Sequence, residues 1–172
     1  MKRIKVALIG TGNWCLQHCR VLSHHPQVEF CGILGRNKER TKRRAKLYDV
    51  PYYLDLKELI KYQKPDLINI SLPNEHHFDM TMQVIKSSCH LFVEKPLVFK
   101  MNEANKLINE AKKRKLFFGI NFNWRYSTPV RKAIKAINEN KLGDINFITW
   151  RFGGTGGGGD PFGNLIETQC HG

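Results

Sequence analysis

The chain predicts an α/β fold built on a doubly wound parallel sheet, and three observations carry that expectation. Short apolar runs alternate with segments of helical period along most of its 172 residues. The connections between them are short, as strand–helix–strand units require. The first apolar run closes on Gly10-Thr11-Gly12, a turn that opens a helix.

Taken in order, Lys5 to Ile9 reads as a central strand, because a sheet buried on both faces needs continuous apolar runs. A helix is expected from about Trp14 to Ser23, before Pro26, then a strand from Val28 to Leu34 and a basic helix from Lys38 to Tyr48. Leu54, Leu59 and Ile60 mark a short helix stopped by Pro65, and Leu67 to Leu72 is the next strand, ended by Pro73. His76 to Ser87 carries Phe78, Met82 and Ile85 on one helical face. His90 to Val93 returns to a strand. Ala104, Leu107, Ile108 and Ala111 follow helical spacing with Asn102 as the expected cap, and Leu116 to Ile120 completes the series.

Beyond Asn121 the rhythm changes, so residues 1–121 are expected to form a dinucleotide-binding domain and 122–172 the start of a second, α+β domain. Val130 to Asn140 reads as a helix with Ile134 and Ile137 on one side, Gly143-Asp144 as a turn, and Ile145 to Phe152 as a strand. The glycine run from Gly153 to Gly159 reads as a surface loop in preference to a substrate lid.

With 41% hydrophobic and 25% charged residues the composition is that of a globular protein. No apolar stretch approaches the roughly 18 residues that span a bilayer, and the basic start with its short apolar run reads as a buried strand rather than a signal peptide. Five cysteines without a C-x-x-C pair suit a reduced, cytoplasmic setting. Cys15, His18 and Cys19 share a helical face, but without a second ligand pair they read as packing residues, and no metal is expected. The net charge of +13 gathers between Arg36 and Lys46, where seven basic residues accompany Glu39 alone. Solvated helix faces explain it best; attraction of a polyanionic cofactor or of nucleic acid is the alternative. No nucleic-acid reading motif is present.

The glycine turn is where a dinucleotide would sit. Gly10 permits the tight turn and Gly12 lets backbone N–H groups approach a pyrophosphate at a helix N-terminus. Cys15 stands where the third glycine of this Rossmann-type fingerprint would be, so helix and strand are expected slightly farther apart. The second strand ends at Gly35-Arg36 without the acid that would bind the ribose hydroxyls of NAD. Arg36, with Lys38 and Arg40 nearby, instead suits a 2′-phosphate, so NADP is expected to be preferred over NAD. The plainer alternative has Arg36 stacking on adenine.

Two further strand ends carry polar residues, Pro73-Asn74-Glu75-His76-His77 and Glu94-Lys95-Pro96. With the glycine loop, Asn123-Trp124-Arg125-Tyr126 and Lys141-Leu142-Gly143-Asp144-Ile145, they resemble the oxidoreductases related to glucose–fructose oxidoreductase and inositol 2-dehydrogenase (the Gfo/Idh/MocA type) over essentially the whole chain. The Glu-Lys-Pro element is the specific part of that likeness; many dehydrogenases share the glycine loop. The resemblance implies that Gly10, Gly12, Asn13 and Trp14 bind pyrophosphate, and that Leu72, Pro73, Asn74 and His77 lie beside the cofactor. It implies a cofactor-and-substrate turn at Glu94 and Lys95, with Lys95 catalytic, and positions near the nicotinamide for Trp124 and Arg125. Glu167 and His171 resemble an acid-x-x-x-His catalytic pair, although many members carry aspartate in place of Glu167.

On a helix Glu167 and His171 would share one face, with His171 as general base or acid and Lys95 as the ammonium that polarises the oxygen. For Lys95 alone, the plain alternative is an exposed ion pair with Glu94. The expected activity is hydride transfer between NAD(P) and a secondary alcohol or ketone of a sugar, cyclitol or related polyol. Relatives of this type continue past the acid-x-x-x-His element through a large sheet, often an oligomer interface. The chain is therefore expected to be a fragment or truncated product that binds cofactor better than it turns over substrate, with a homo-oligomer expected of the full-length protein. The rival expectation is a non-catalytic NADP-binding or regulatory module.

Overall fold

A computed structural model describes residues 2–149. The described residues fall into two compact units, with the boundary in the chain between Asn121 and Phe122. In the first unit six parallel strands form one sheet: β1 (Ile4–Ile9), β2 (Val28–Leu34), β3 (Tyr52–Tyr53), β4 (Leu67–Ile70), β5 (His90–Val93) and β6 (Phe118–Ile120). Their order is β3-β2-β1-β4-β5-β6. The chain therefore winds outward from β1 in one direction and then, through β4, in the other. Such a reversal opens a crevice beyond the strand ends, here between β1 and β4.

Side chains alternate across the strands and build two cores. Val6 and Leu8 face α1 (Asn13–His24) and α2 (Lys38–Leu47), packing with Cys15, Cys19, Leu22, Ile33 and Ala45. Ala7 and Ile9 join Ile68, Ile70, Leu91 and Val93 on the opposite face. That layer is closed by α3 (Leu56–Gln63), α4 (His77–Lys86) and α5 (Met101–Lys113), through Leu59, Val84, Ile85 and Leu107. Each fully buried aliphatic side chain is worth about 1.5–3 kcal/mol, so the two layers together hold the strand ends in place.

Local chemistry sets the helix starts. Asn37 Oδ1 accepts from Arg40 N at 2.9 Å to cap α2, and Asp55 Oδ1 accepts from Glu58 N at 3.0 Å to cap α3. Lys38, Arg40, Lys42, Arg43 and Lys46 of α2 are exposed, while Arg44 is half-buried and its Nε donates to Thr11 O at 3.5 Å.

Several expectations need correction. Asn102 does not cap α5: the helix begins at Met101 after Lys100, whose carbonyl already accepts from Glu103 N and Ala104 N. β4 stops at Ile70, and a short 3-10 turn over Asn74–His76 precedes α4. Leu116 lies outside β6 because its N–H closes the end of α5 on Ala111 O. β3 was not expected, since two tyrosines make no apolar run; backbone bonds from Ile33 N to Pro51 O and from Gly35 N to Tyr53 O create it.

The second unit contains a 3-10 turn, Asn123–Tyr126, and α6 (Thr128–Asn138), which starts and stops two residues earlier than expected. Residues 145–149 form no strand; Phe147 and Ile148 are exposed, and a strand exists only where a neighbour takes its hydrogen bonds. The rest of that expected strand, the glycine run, Glu167 and His171 lie outside the described residues.

Candidate active site

The glycine turn leaves β1 at Gly10, whose N–H donates to Leu34 O at 2.8 Å. Gly10 has φ +130°, and a Cβ there would lie 2.0 Å from Ser71 O and 2.7 Å from Cys15 Sγ. No side chain fits. At Gly12, by contrast, a Cβ would meet nothing within 4 Å. Gly12 is the N-cap of α1, so its open side lies at a helix N-terminus, where backbone N–H groups favour an anion. Cys15, in the third fingerprint position, is buried and its Sγ donates to Ser71 O at 3.1 Å. Burial pushes its thiol pKa up.

These groups border a cleft of about 330 Å³. Gly10, Gly12, Asn13 and Trp14 line one side, Leu72 and Pro73 another, and Arg36 and Arg40 the end beyond β2. Seven of the expected cofactor residues are thereby brought together; Asn74, His77, Glu94 and Lys95 do not line it. Lys38 is absent from the lining, while Arg40 is present. Gly35 brings the β2 end close to this floor, since a Cβ there would sit 2.5 Å from Thr41 Oγ1 and 2.6 Å from Thr11 Cγ2. Among the described residues no carboxylate lines the cleft.

Glu94 and Lys95 follow β5, with Glu94 N extending the ladder to Ile70 O at 2.9 Å. β1, β4 and β5 are neighbours, so the glycine turn, the Leu72-Pro73 loop and the Lys95 turn leave the same end of three adjacent strands. The Lys95–Pro96 peptide is cis. Glu94 is buried, and both of its oxygens meet protein donors. Oε1 accepts from His18 Nε2 at 2.7 Å and from Asn121 Nδ2; Oε2 accepts from Lys95 N at 3.2 Å. Burial alone would push this carboxyl up, but hydrogen bonds from His18, Asn121 and Trp14 prevail and hold it at about 2. Glu94 is thus hydrogen-bonded to His18 of α1, and no ion pair between Glu94 and Lys95 occurs among the described residues.

His77 was expected beside the cofactor. Its ring is instead fully buried, with Nδ1 2.7 Å from Pro96 O and Nε2 2.9 Å from Leu72 O. It clamps the Leu72 loop to the Lys95-Pro96 turn and presents nothing to the cleft. Asn74 borders a separate hollow with Glu75 and Phe78. Trp124 and Arg125 belong to the second unit, on its exposed 3-10 turn.

Sequence reasoning missed three partners of this region. His18 was grouped with the flanking cysteines, which are core residues with raised thiol pKa values, that of Cys19 pushed up to about 12 by burial. Asn69 and Asn121 were passed over, yet a polar residue inside the run Leu67-Ile68-Asn69-Ile70 was a usable signal. Among the described residues no group of three or more potential ligands could hold a metal. No helix among them is long and apolar enough to cross a membrane.

A six-stranded parallel sheet of this order, with a glycine turn at its switch point, defines an NAD-binding Rossmann fold. The profile of an oxidoreductase family described by that fold matches residues 4–122, and the chain belongs to it, the Gfo/Idh/MocA family. It is similar to glucose-6-phosphate 3-dehydrogenase of Bacillus subtilis, 25% identical over 86% of this chain and 42% of the relative. It is equally similar, at 25% over 83% of this chain and 40% of the relative, to the NADP(+)-linked scyllo-inositol 2-dehydrogenase of the same organism. The solved structure of myo-inositol 2-dehydrogenase from Lactobacillus plantarum superposes with a TM-score of 0.75 at 25% identity, covering 84% of this chain and 43% of that one. The chain thus spans about two fifths of the length of the curated relatives it matches.

Proposed function

We propose that the protein is an NAD(P)-dependent oxidoreductase moving hydride between a nicotinamide cofactor and a secondary alcohol or ketone of a sugar, cyclitol or related polyol, with NADP preferred. One observation carries this reading. The glycine turn and the Lys95 turn leave the same end of β1 and β5, the parallel strands on either side of β4, and the cleft beside the first is open at Gly12 and basic at Arg36 and Arg40. Names of relatives that act on glucose 6-phosphate and scyllo-inositol support the substrate class.

When bound, the cofactor accepts or supplies the hydride. Gly10, Gly12, Asn13 and Trp14 would seat its pyrophosphate, Leu72 and Pro73 would flank it, and Arg36 with Arg40 would hold a 2′-phosphate. Lys95 polarises the substrate oxygen as an ammonium, and His171, paired with Glu167, moves the hydroxyl proton. Trp124 and Arg125 are assigned to the nicotinamide side, within a second domain whose start is residues 122–172. The substrate is a small molecule, and homo-oligomerisation through that second domain belongs to the same reading.

The test titrates NADP and NAD separately into wild type and Arg36→Ala. One charged hydrogen bond contributes about 1.5–3 kcal/mol, so NADP should bind roughly ten- to a hundredfold tighter than NAD in wild type. In Arg36→Ala that difference should largely vanish. Equal NADP affinity in the two proteins would overturn the preference. Tight NADP binding by a full-length protein that oxidises no sugar or cyclitol would favour a regulatory cofactor-binding module.

A further inference from the structure

We propose that His18 is a positioning residue for Lys95: placed on the helix that begins at the glycine turn, it holds the Glu94 carboxylate and thereby ties the Lys95 turn to the cofactor loop. This rests on the role given to Lys95 above. Three contacts build the connection. Asn69 Nδ2 donates to His18 Nδ1 at 2.9 Å, which leaves the proton on Nε2 and directs it at Glu94 Oε1, 2.7 Å away. Glu94 Oε2 in turn accepts the Lys95 backbone N–H at 3.2 Å. The chain of donors thus runs from β4 through α1 to the end of β5, and Asn121 joins the end of β6 at Oε1.

His18 suits this role better than one of mere filling. Its side chain is 11% exposed and both ring nitrogens are engaged. Trp14, one helical turn earlier and on the wall of the glycine cleft, also hydrogen-bonds Glu94. A shift of the α1 start therefore moves two partners of a buried carboxylate, and the Lys95 backbone follows its acceptor. A histidine that merely filled space would need neither the Asn69 donor nor a buried acid opposite it.

Two signals in the intact chain test the connection by NMR: the Lys95 amide, read by hydrogen exchange, and the Glu94 carboxyl carbon, assigned with Glu94→Gln. In His18→Leu the Lys95 amide should lose its protection and the Glu94 carboxyl should titrate upward toward the ordinary carboxylate range. His18→Gln, whose amide can still donate to Oε1, should keep both close to wild type. NADP affinity should fall about tenfold in His18→Leu and much less in His18→Gln. Unchanged Lys95 protection and an unmoved Glu94 titration in a folded His18→Leu chain would overturn the proposal. Should that variant not fold, Asn69→Ala reads the same contact, with smaller changes in the same direction expected and no change counting against it. Failure of wild type to bind NADP or NAD would sink the cofactor reading, while the two signals would still judge the His18–Glu94 connection.

Discussion

Gly10→Ala puts a methyl group 2.0 Å from a carbonyl oxygen and 2.7 Å from a sulfur, in a backbone at φ +130° that alanine avoids. Strain at such a dihedral costs about 1–3 kcal/mol, and forcing a methyl into packed surroundings adds about 1–3 kcal/mol. The sum is near 4 kcal/mol, a large part of the roughly 5–15 kcal/mol that stabilises a domain. At about 4 °C per kcal/mol for a unit of this size, the melting midpoint should fall by roughly 15 °C. Gly12→Ala is the matched control. Its methyl meets nothing and its φ of −67° is ordinary, so only the loss of a good N-cap remains, below about 1 kcal/mol. Its damage should fall instead on NADP affinity, because that methyl enters the mouth of the cleft. Urea titrations followed by circular dichroism, with NADP titrations of the same proteins, separate the two effects. A Gly10→Ala chain within about 1 kcal/mol of wild type would refute the reasoning, as would a Gly12→Ala chain equally destabilised.

The Glu94 carboxyl is lowered to about 2 in the folded chain from an ordinary 4.5, so its contribution is complete above pH 4.5 and is lost as pH falls toward 2. That is about 3 kcal/mol; urea midpoints should drop over this window in wild type and much less in Glu94→Gln, and equal slopes would count against it. His77→Leu removes the ring donor between the carbonyls of Leu72 and Pro96 and leaves at least one of them unpaired, at about 1–3 kcal/mol, so a thermal scan should show a clear loss. An unchanged melt would mean that the clamp carries no weight. Lys95→Ala in the full-length protein should lower turnover roughly 10²–10⁴-fold while NADP binding persists; substantial remaining turnover would remove Lys95 from the chemistry.

Much of the fold was legible because the buried strands announce themselves. Val28 to Leu34 and His90 to Val93 were bounded as observed, since the runs Cys31 to Leu34 and Leu91 to Val93 that enter the core carry no polar side chain. β3 was hidden, because backbone pairing with β2 rather than side-chain pattern creates it. At the site, the glycine turn and the missing acid after β2 could be read directly. The carboxylate cluster could not: His18 and Glu94 are 76 residues apart, and only the sheet order brings them together. His77 shows the limit of resemblance. Its place in the motif was readable, but the inward turn of its ring toward two carbonyls depends on how the Leu72 and Pro96 loops pack.

The sulfur wedged between Gly10 and the Ser71 carbonyl makes this chain its own sensor of breathing at the nucleotide seat. A thiol reagent attacks the thiolate, and burial keeps Cys15 protonated and out of reach. Modification must therefore await the moments when the first helix lifts from the end of β4. With the remaining cysteines replaced, the alkylation rate of Cys15 becomes a clock for that lifting, and a ligand lodged beneath the helix should slow it.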